Sequence, residues 1–222
     1  MEIKICGITN REDAAYAAAC GADAIGFIFH PKSPRYVAPE IAQKIIKDLP
    51  DDITKVGVFV NLDPLEIKEI VALCGLDMVQ FHGDESPLCC SQFPRARVIK
   101  AFAPRTVDDL ARLRGFPAKA ILVDAYDPVR HGGTGEKADW GLAAMVKEQH
   151  PLLILAGGLS LINIQDAINL VSPHAVDINS GAEISPGRKD HTKIKAIIEL
   201  VRRLEKDNAQ IFGRSNHDNH DI

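Results

Sequence analysis

The sequence predicts an α/β protein, a single (βα)8 TIM barrel closed by eight parallel strands. Three observations carry this. Short runs rich in Val and Ile recur eight times, ending near Cys6, Phe29, Val60, His82, Phe102, Asp124, Ala156 and Asn179. Such runs suit a parallel sheet covered on its faces. Helical patterns alternate with them in units of roughly 25 residues, the spacing of βα modules. The turn after the first strand, Cys6-Gly7-Ile8-Thr9-Asn10, also lacks the Gly-x-Gly-x-x-Gly that an open doubly wound sheet usually carries.

The elements follow in order. In Glu2-Ile3-Lys4-Ile5-Cys6, alternation puts Ile3 and Ile5 on one face and Lys4 and Cys6 on the other. An Ala-rich helix is predicted over 11–20, ending at Gly21. The stretch 39–49 sets Ile41, Ile45, Ile46 and Leu49 on one face, and 65–74 repeats the spacing up to Gly75. Helices over 107–113, 140–147, 162–171 and 192–204 obey the same rule. Glycine takes the left-handed turn at a helix exit at little steric cost. A weak repeat, Cys20-Gly21-Ala22-Asp23-Ala24 and Cys74-Gly75-Leu76-Asp77-Met78, uses it twice. Helix starts are marked by Asn10 with Asp13 three residues on, by Ser160 before the seventh helix, and by Pro39 and Pro64 in first turns. The barrel is expected to span residues 1–205. The remainder, 206–222, is polar and aperiodic and reads as a frayed or disordered tail.

Composition narrows the function. The chain has 222 residues, a formal net charge of −4 and 46% hydrophobic residues. That suits one sizeable domain and lacks the basic stripe of a nucleic-acid surface. There is no apolar run long enough to span a membrane, and Glu2 and Lys4 break any apolar leader. The five cysteines are odd in number and lack zinc spacing, as reduced thiols of a cytoplasmic protein do. No metal site and no cofactor site is indicated.

On a barrel the strand ends converge on one mouth. Strand one brings Cys6, strand four Gln80 and His82, strand six Asp124 and strand eight Asp177. A carboxylate backed by an apolar strand can donate a proton near neutrality, and a thiol can accept one once a nearby positive charge ionises it. The bland alternatives are a core cysteine, a turn-capping aspartate and a loop-satisfying histidine. After strands seven and eight come Ala156-Gly157-Gly158-Leu159-Ser160 and Asn179-Ser180-Gly181-Ala182-Glu183. This pair of loops is the usual phosphate cradle of barrel enzymes, so Gly157, Gly158, Ser180 and Gly181 are the candidate phosphate ligands. After strand two, Pro31-Lys32-Ser33-Pro34-Arg35-Tyr36 offers Arg35 for a carboxylate. After strand six, the stretch 127–137 has the glycines of a lid, with Thr134 and Gly135 as substrate contacts.

Taken together, Lys4-Ile5-Cys6-Gly7-Ile8-Thr9, Pro31-Lys32-Ser33-Pro34-Arg35-Tyr36, Gln80-Phe81-His82-Gly83, Leu122-Val123-Asp124, Gly132-Gly133-Thr134-Gly135, Ala156-Gly157-Gly158-Leu159 and Val176-Asp177-Ile178-Asn179-Ser180-Gly181 closely resemble the phosphoribosylanthranilate isomerases. The likeness runs from Lys4 to about Leu204. It implies an Amadori rearrangement in tryptophan biosynthesis, from N-(5′-phosphoribosyl)anthranilate to 1-(2-carboxyphenylamino)-1-deoxyribulose 5-phosphate. On this resemblance Asp124 is the general acid on the ribose ring oxygen and Cys6 the base at C2′. Arg35 meets the anthranilate carboxylate, Asp177 the anthranilate nitrogen, and Gln80 and His82 line the site. The partner implied is this small molecule, with no nucleic acid and no membrane. A homodimer, or association with neighbouring pathway enzymes, stays open. So do a Schiff-base aldolase using Lys100 and a non-catalytic phosphosugar-binding module. A histidine-biosynthesis isomerase is disfavoured because that chemistry is usually associated with Asp where strand one here has Cys6.

Overall fold

The computed structural model describes residues 1–113, 115–124, 139–150, 152–204 and 211–212. Its eight strands are β1 (Glu2–Ile5), β2 (Ala24–Ile28), β3 (Thr54–Phe59), β4 (Met78–Phe81), β5 (Val98–Phe102), β6 (Ala120–Val123), β7 (Leu153–Leu155) and β8 (Ala175–Ile178). Each pairs in parallel with its sequence neighbours, and β8 closes on β1 with Lys4 opposite Asp177. The sheet is therefore a closed barrel and not an open doubly wound sheet.

Alternation divides the apolar residues between two cores. Outward positions such as Ile3, Ile5, Val79, Phe81 and Ile121 pack under the helices. Inward positions such as Ala24, Val56, Met78, Ile99, Leu122 and Ile154 fill the lumen. Side-chain volume there is small on several strands (Ala24, Ala120, Ala156, Ala175), which leaves space for three polar groups: Lys4, Gln80 and Asp177. The bond from Lys4 on β1 to Gln80 on β4 joins strands that are not neighbours, so it crosses the barrel interior.

The helices form where local chemistry starts and stops them. In α1 (Arg11–Ala19) the Asn10 side chain accepts from the Asp13 N–H at 2.8 Å. Pro39 opens α2 (Pro39–Ile46). In α3 (Pro64–Cys74) Asp63 caps Leu65, Pro64 fills the first turn, and Gly75 ends the helix at φ +68°. After β4 come a short turn of helix, α4 (Pro87–Cys90), and a 3₁₀ turn, Arg95–Arg97. The predicted helix over 107–113 is a 3₁₀ helix, Val107–Leu113. The later helices are α5 (Trp140–Gln149), α6 (Ile164–Val171) and α7 (His191–Arg203).

Two expectations need correction. Ser160 does not cap the helix after β7. That helix is α6, its N-cap position is Asn163, and Ser160 instead receives the N–H groups of Asn163 and Ile164 on its carbonyl. Ile162, expected inside the helix, is 93% exposed. Residues 157–163 are spent on a loop because Gly157 and Gly158 both sit at positive φ, which an α-helix does not continue. Strand eight stops at Ile178, and a hairpin of β9 (Glu183–Ser185) and β10 (Arg188–Lys189) follows it.

The tail supplies one further element. Ile211 and Phe212 are buried in the lumen core at the N-terminal end of the strands. Their N–H groups donate to the Glu2 carboxylate, the Phe212 carbonyl accepts from Thr54 Oγ1, and the Ile211 carbonyl accepts from Lys119 Nζ. Among the described residues no helix is long and apolar enough to cross a membrane.

Candidate active site

The opposite end of the barrel, where the strands finish, opens into a cavity. Cys6, Arg35, Gln80, His82, Asp124, Asp177, Gly157, Gly158 and Ser180 all line it. Gly181 stands beside it, where the second glycine loop packs on Leu159 of the first. Thr134, Gly135 and the expected lid lie outside the described residues.

Cys6 is the first residue past β1 and is 4% exposed. Its N–H continues the ladder by donating to the Ile178 carbonyl at 2.9 Å, so the thiol holds the inward position that alternation assigns. Gly7 turns the chain away at φ +73°. Gly26 of β2 leaves room for the sulfur: a β-carbon there would lie 2.8 Å from Cys6 Sγ and 3.0 Å from Lys4 Cε. Burial pushes the Cys6 thiol above its ordinary value. Lys4 pulls against that rise, Asp177 adds to it, and Lys189 opposes it. The free site thus does not lower the thiol as a base would want, because desolvation outweighs the nearby cations.

Lys4 is fully buried beneath Cys6. Burial is the largest influence and disfavours its ammonium, but the Asp177 carboxylate and Cys6 together outweigh it and raise the ammonium above its ordinary value. The ammonium donates to Asp177 Oδ2 at 2.7 Å and to Gln80 Oε1 at 2.9 Å. Asp177 Oδ1 is buried and, among the described residues, has no hydrogen-bond partner. An unpaired buried carboxylate oxygen is costly and calls for a donor from a ligand.

Across the mouth, Asp124 begins where β6 ends, and its N–H donates to the Phe102 carbonyl at 3.0 Å. Its Oδ2 is 3.2 Å from His82 Nε2. The other ring nitrogen of His82, Nδ1, is 2.8 Å from Gln80 Nε2.

Arg35 does not hang free over the mouth as a basic loop residue would. Its side chain is buried and held by Glu183, with Nε donating to Oε1 at 2.9 Å and Nη2 to Oε2 at 2.7 Å. Lys189 Nζ donates to the same Glu183 Oε1 at 3.0 Å and to Asn179 Oδ1 at 3.1 Å. Burial alone would raise Glu183, yet the Arg35 hydrogen bonds and the Lys189 charge hold it below the usual carboxylate range. This cluster aims Arg35 at the cavity.

The two glycine loops meet face to face. A β-carbon on Gly181 would lie 1.9 Å from the Leu159 carbonyl oxygen, so only glycine permits their approach. Asn163 braces the first loop, donating to the Gly158 carbonyl and accepting from the Ser160 N–H, both at 2.9 Å. Among the described residues the N–H groups of Gly157, Gly158, Ser180 and Gly181 have no protein acceptor. Such a nest of donors suits a phosphate.

Sequence reasoning missed Glu183, Lys189 and Asn179, whose partners are distant in sequence. Lys4 had a readable signal, since alternation gives it the face of Cys6. Lys100 is excluded from the mouth. It sits on β5 between the lumen residues Ile99 and Ala101, so it points outward, and Nζ bonds Glu85 Oε2 at 2.8 Å and the Gly83 carbonyl.

The family model of N-(5′-phosphoribosyl)anthranilate (PRA) isomerase matches residues 3–200. An N-(5′-phosphoribosyl)anthranilate isomerase of Syntrophus aciditrophicus (strain SB) is 50% identical over 204 residues, covering 92% of this chain and 88% of that protein. A phosphoribosylanthranilate isomerase solved in complex with reduced 1-(o-carboxyphenylamino)-1-deoxyribulose 5-phosphate superposes with a TM-score of 0.81 at 39% identity, covering 91% of this chain and 99% of that one. A structure of mutually generated monomers of the dimeric enzyme from Thermotoga maritima gives 0.82 at 38% identity, with the same coverage.

Proposed function

The chain belongs to the N-(5′-phosphoribosyl)anthranilate isomerase family, and we propose that Cys6 and Asp124 are the base and the acid of its reaction. The enzyme carries out the Amadori rearrangement of N-(5′-phosphoribosyl)anthranilate in tryptophan biosynthesis. The observation that carries the residue assignment is that Cys6 and Asp124 line one cavity from different strands, with phosphate donors at its rim.

Asp124 gives its proton to the ribose ring oxygen. The C1′–oxygen bond breaks, and the anthranilate nitrogen forms a Schiff base with C1′. The Cys6 thiolate takes the C2′ proton, and the electron pair moves toward nitrogen to give the enolamine. Cys6 returns a proton to C1′ as the 2′-hydroxyl loses its own to Asp124. The ketone results, with acid and base both restored. The open Asp177 Oδ1 is suited to the anthranilate N–H, and it is near enough to the sulfur to raise the thiol. Arg35 is assigned to the anthranilate carboxylate. Its hold on Glu183 fixes the side chain before substrate arrives, which lowers the entropy lost on binding. Gly157, Gly158, Ser180 and Gly181 are assigned to the phosphate. Gln80 and His82 complete the wall, and Thr134 and Gly135 are assigned as substrate contacts.

The test uses phosphoribosylanthranilate generated in place and followed by its fluorescence decay. Cys6→Ser and Asp124→Asn each lower kcat/KM by roughly 10²-fold or more, the scale of general acid–base catalysis. Both variants still bind the reduced product. Near-normal turnover in either variant refutes its role.

The same reading puts the enzyme in the cytoplasm, supported by five cysteines that are all free thiols. It also favours a homodimer, as named for the Thermotoga maritima relative. Light scattering of the purified protein tests that assembly.

A further inference from the structure

A fully buried ammonium in a barrel lumen demands a reason. Replacing a buried ion pair by apolar side chains of similar volume is often neutral or stabilising. Stability alone therefore does not account for Lys4. Its position does. The ammonium lies under the Cys6 thiol, close enough to act on it through charge and hydrogen bonding, and both side chains rest on the bare Cα of Gly26.

Lys4 also starts a chain of hydrogen bonds that runs across the lumen to Asp124. An ammonium only donates. The Gln80 atom 2.9 Å from Lys4 Nζ must accept, so it is Oε1. The Gln80 amide nitrogen then faces His82 Nδ1 at 2.8 Å. An amide nitrogen also only donates, so Nδ1 accepts and the ring proton sits on Nε2. Nε2 is 3.2 Å from Asp124 Oδ2 and donates to it. One end with no acceptor capacity thus sets the direction of every bond in the chain.

We propose that Lys4 is a positioning residue that serves both catalytic groups: its charge favours the Cys6 thiolate against the opposing effect of burial, and through Gln80 it locks His82 in the tautomer that orients Asp124. This rests on the assignment of Cys6 as base and Asp124 as acid. The charged groups facing Cys6 are Lys4 from its own strand, Asp177 from β8 and Lys189 from β10, the last paired to Glu183 together with Arg35. Gly26 on the β2 side brings none.

Two substrate-free readouts test it on the full-length protein. The first is the rate of iodoacetamide alkylation of the Cys6 peptide as a function of pH, read by mass spectrometry. The second is the tautomer of His82 from ¹⁵N shifts in histidine-labelled protein, assigned with His82→Asn. In the wild type, His82 carries its proton on Nε2. In Lys4→Met the alkylation rate at a fixed pH below the thiol midpoint falls about tenfold, the equivalent of one pH unit in thiolate population, and the His82 signal becomes a tautomer mixture. Gln80→Leu keeps the Lys4–Asp177 pair, so it gives the tautomer mixture with a wild-type alkylation profile.

A wild-type His82 protonated on Nδ1 overturns the relay, whether or not Lys4→Met and Gln80→Leu fold. An unchanged alkylation profile in folded Lys4→Met overturns the electrostatic role. A Gln80→Leu protein with the wild-type tautomer overturns the coupling. Failure of Cys6→Ser or Asp124→Asn to lose turnover would instead refute the underlying catalytic assignment, since neither readout here involves turnover.

Discussion

Gly181 has no room for a side chain, because any β-carbon there would meet the Leu159 carbonyl oxygen at 1.9 Å. Backbone cannot yield as a flexible side chain does, so Gly181→Ala must part the two loops that offer N–H groups to the phosphate. The variant is expected to lose about 1–3 kcal/mol of stability, the usual cost of overpacking, and to raise KM more than it lowers kcat. Urea unfolding and steady-state turnover check this; a wild-type KM would rule out the paired-loop cradle. Glu183 makes a second prediction at this scale. Its carboxyl is held below the usual range in the fold. Its contribution to stability is therefore present above the unfolded carboxylate value of about 4.3 and is lost as pH falls through the lower folded value. Glu183→Gln should be less stable than wild type at pH 7 by about 3 kcal/mol, the lower end for breaking a buried pair. The gap should narrow as pH falls through that lower folded value, as pH-dependent unfolding would reveal. Cys6, Asp124 and Asp177 could be read directly from the sequence, because alternation along a buried parallel strand gives each an inward position near the strand's C-terminal end. Glu183 could not. Its partner Arg35 is 148 residues away, and nothing local announces the pair.

At the scale of elements, the strands were the legible part. Runs such as Ala120-Ile121-Leu122-Val123 are apolar on both faces because one face meets helices and the other the lumen. Starts and stops were legible where one side chain does the work, as at Asn10, Pro39, Pro64 and Gly75. The start of α6 was misread for a physical reason. Leu159, Leu161 and Ile162 have the apolar look of a first turn, but only Leu159 is buried. Two successive left-handed glycines and the Asn163 brace hold this segment as a loop for the site. The β9–β10 hairpin was invisible, since three and two residues are too few to show a period. It nonetheless delivers Glu183 and Lys189, so a site can depend on an element too short to predict.

At the scale of the molecule, the barrel is finished at both ends by different means. The mouth keeps polar groups for chemistry, while the floor is closed by Ile211 and Phe212. Reading 206–222 as polar hid this pair, because two apolar residues in a polar segment show no periodicity. The family model ends at residue 200, before the plug. Phe212→Ala is expected to cost about 3 kcal/mol, the lower end for a buried phenylalanine, with turnover at 25 °C unchanged because the floor is remote from the mouth. Equal unfolding midpoints for this variant and wild type would show that the plug carries no stability. The barrel as a whole serves to bring a buried thiol and a carboxyl to one substrate. The measurement closest to that claim compares two pH profiles in the wild-type enzyme: kcat/KM for isomerisation and alkylation of Cys6. Only the thiolate can take the C2′ proton, and burial raises this thiol above its ordinary value. The rising limb of activity should therefore coincide with the alkylation curve in the alkaline range. Activity that stays level while Cys6 titrates would contradict the account.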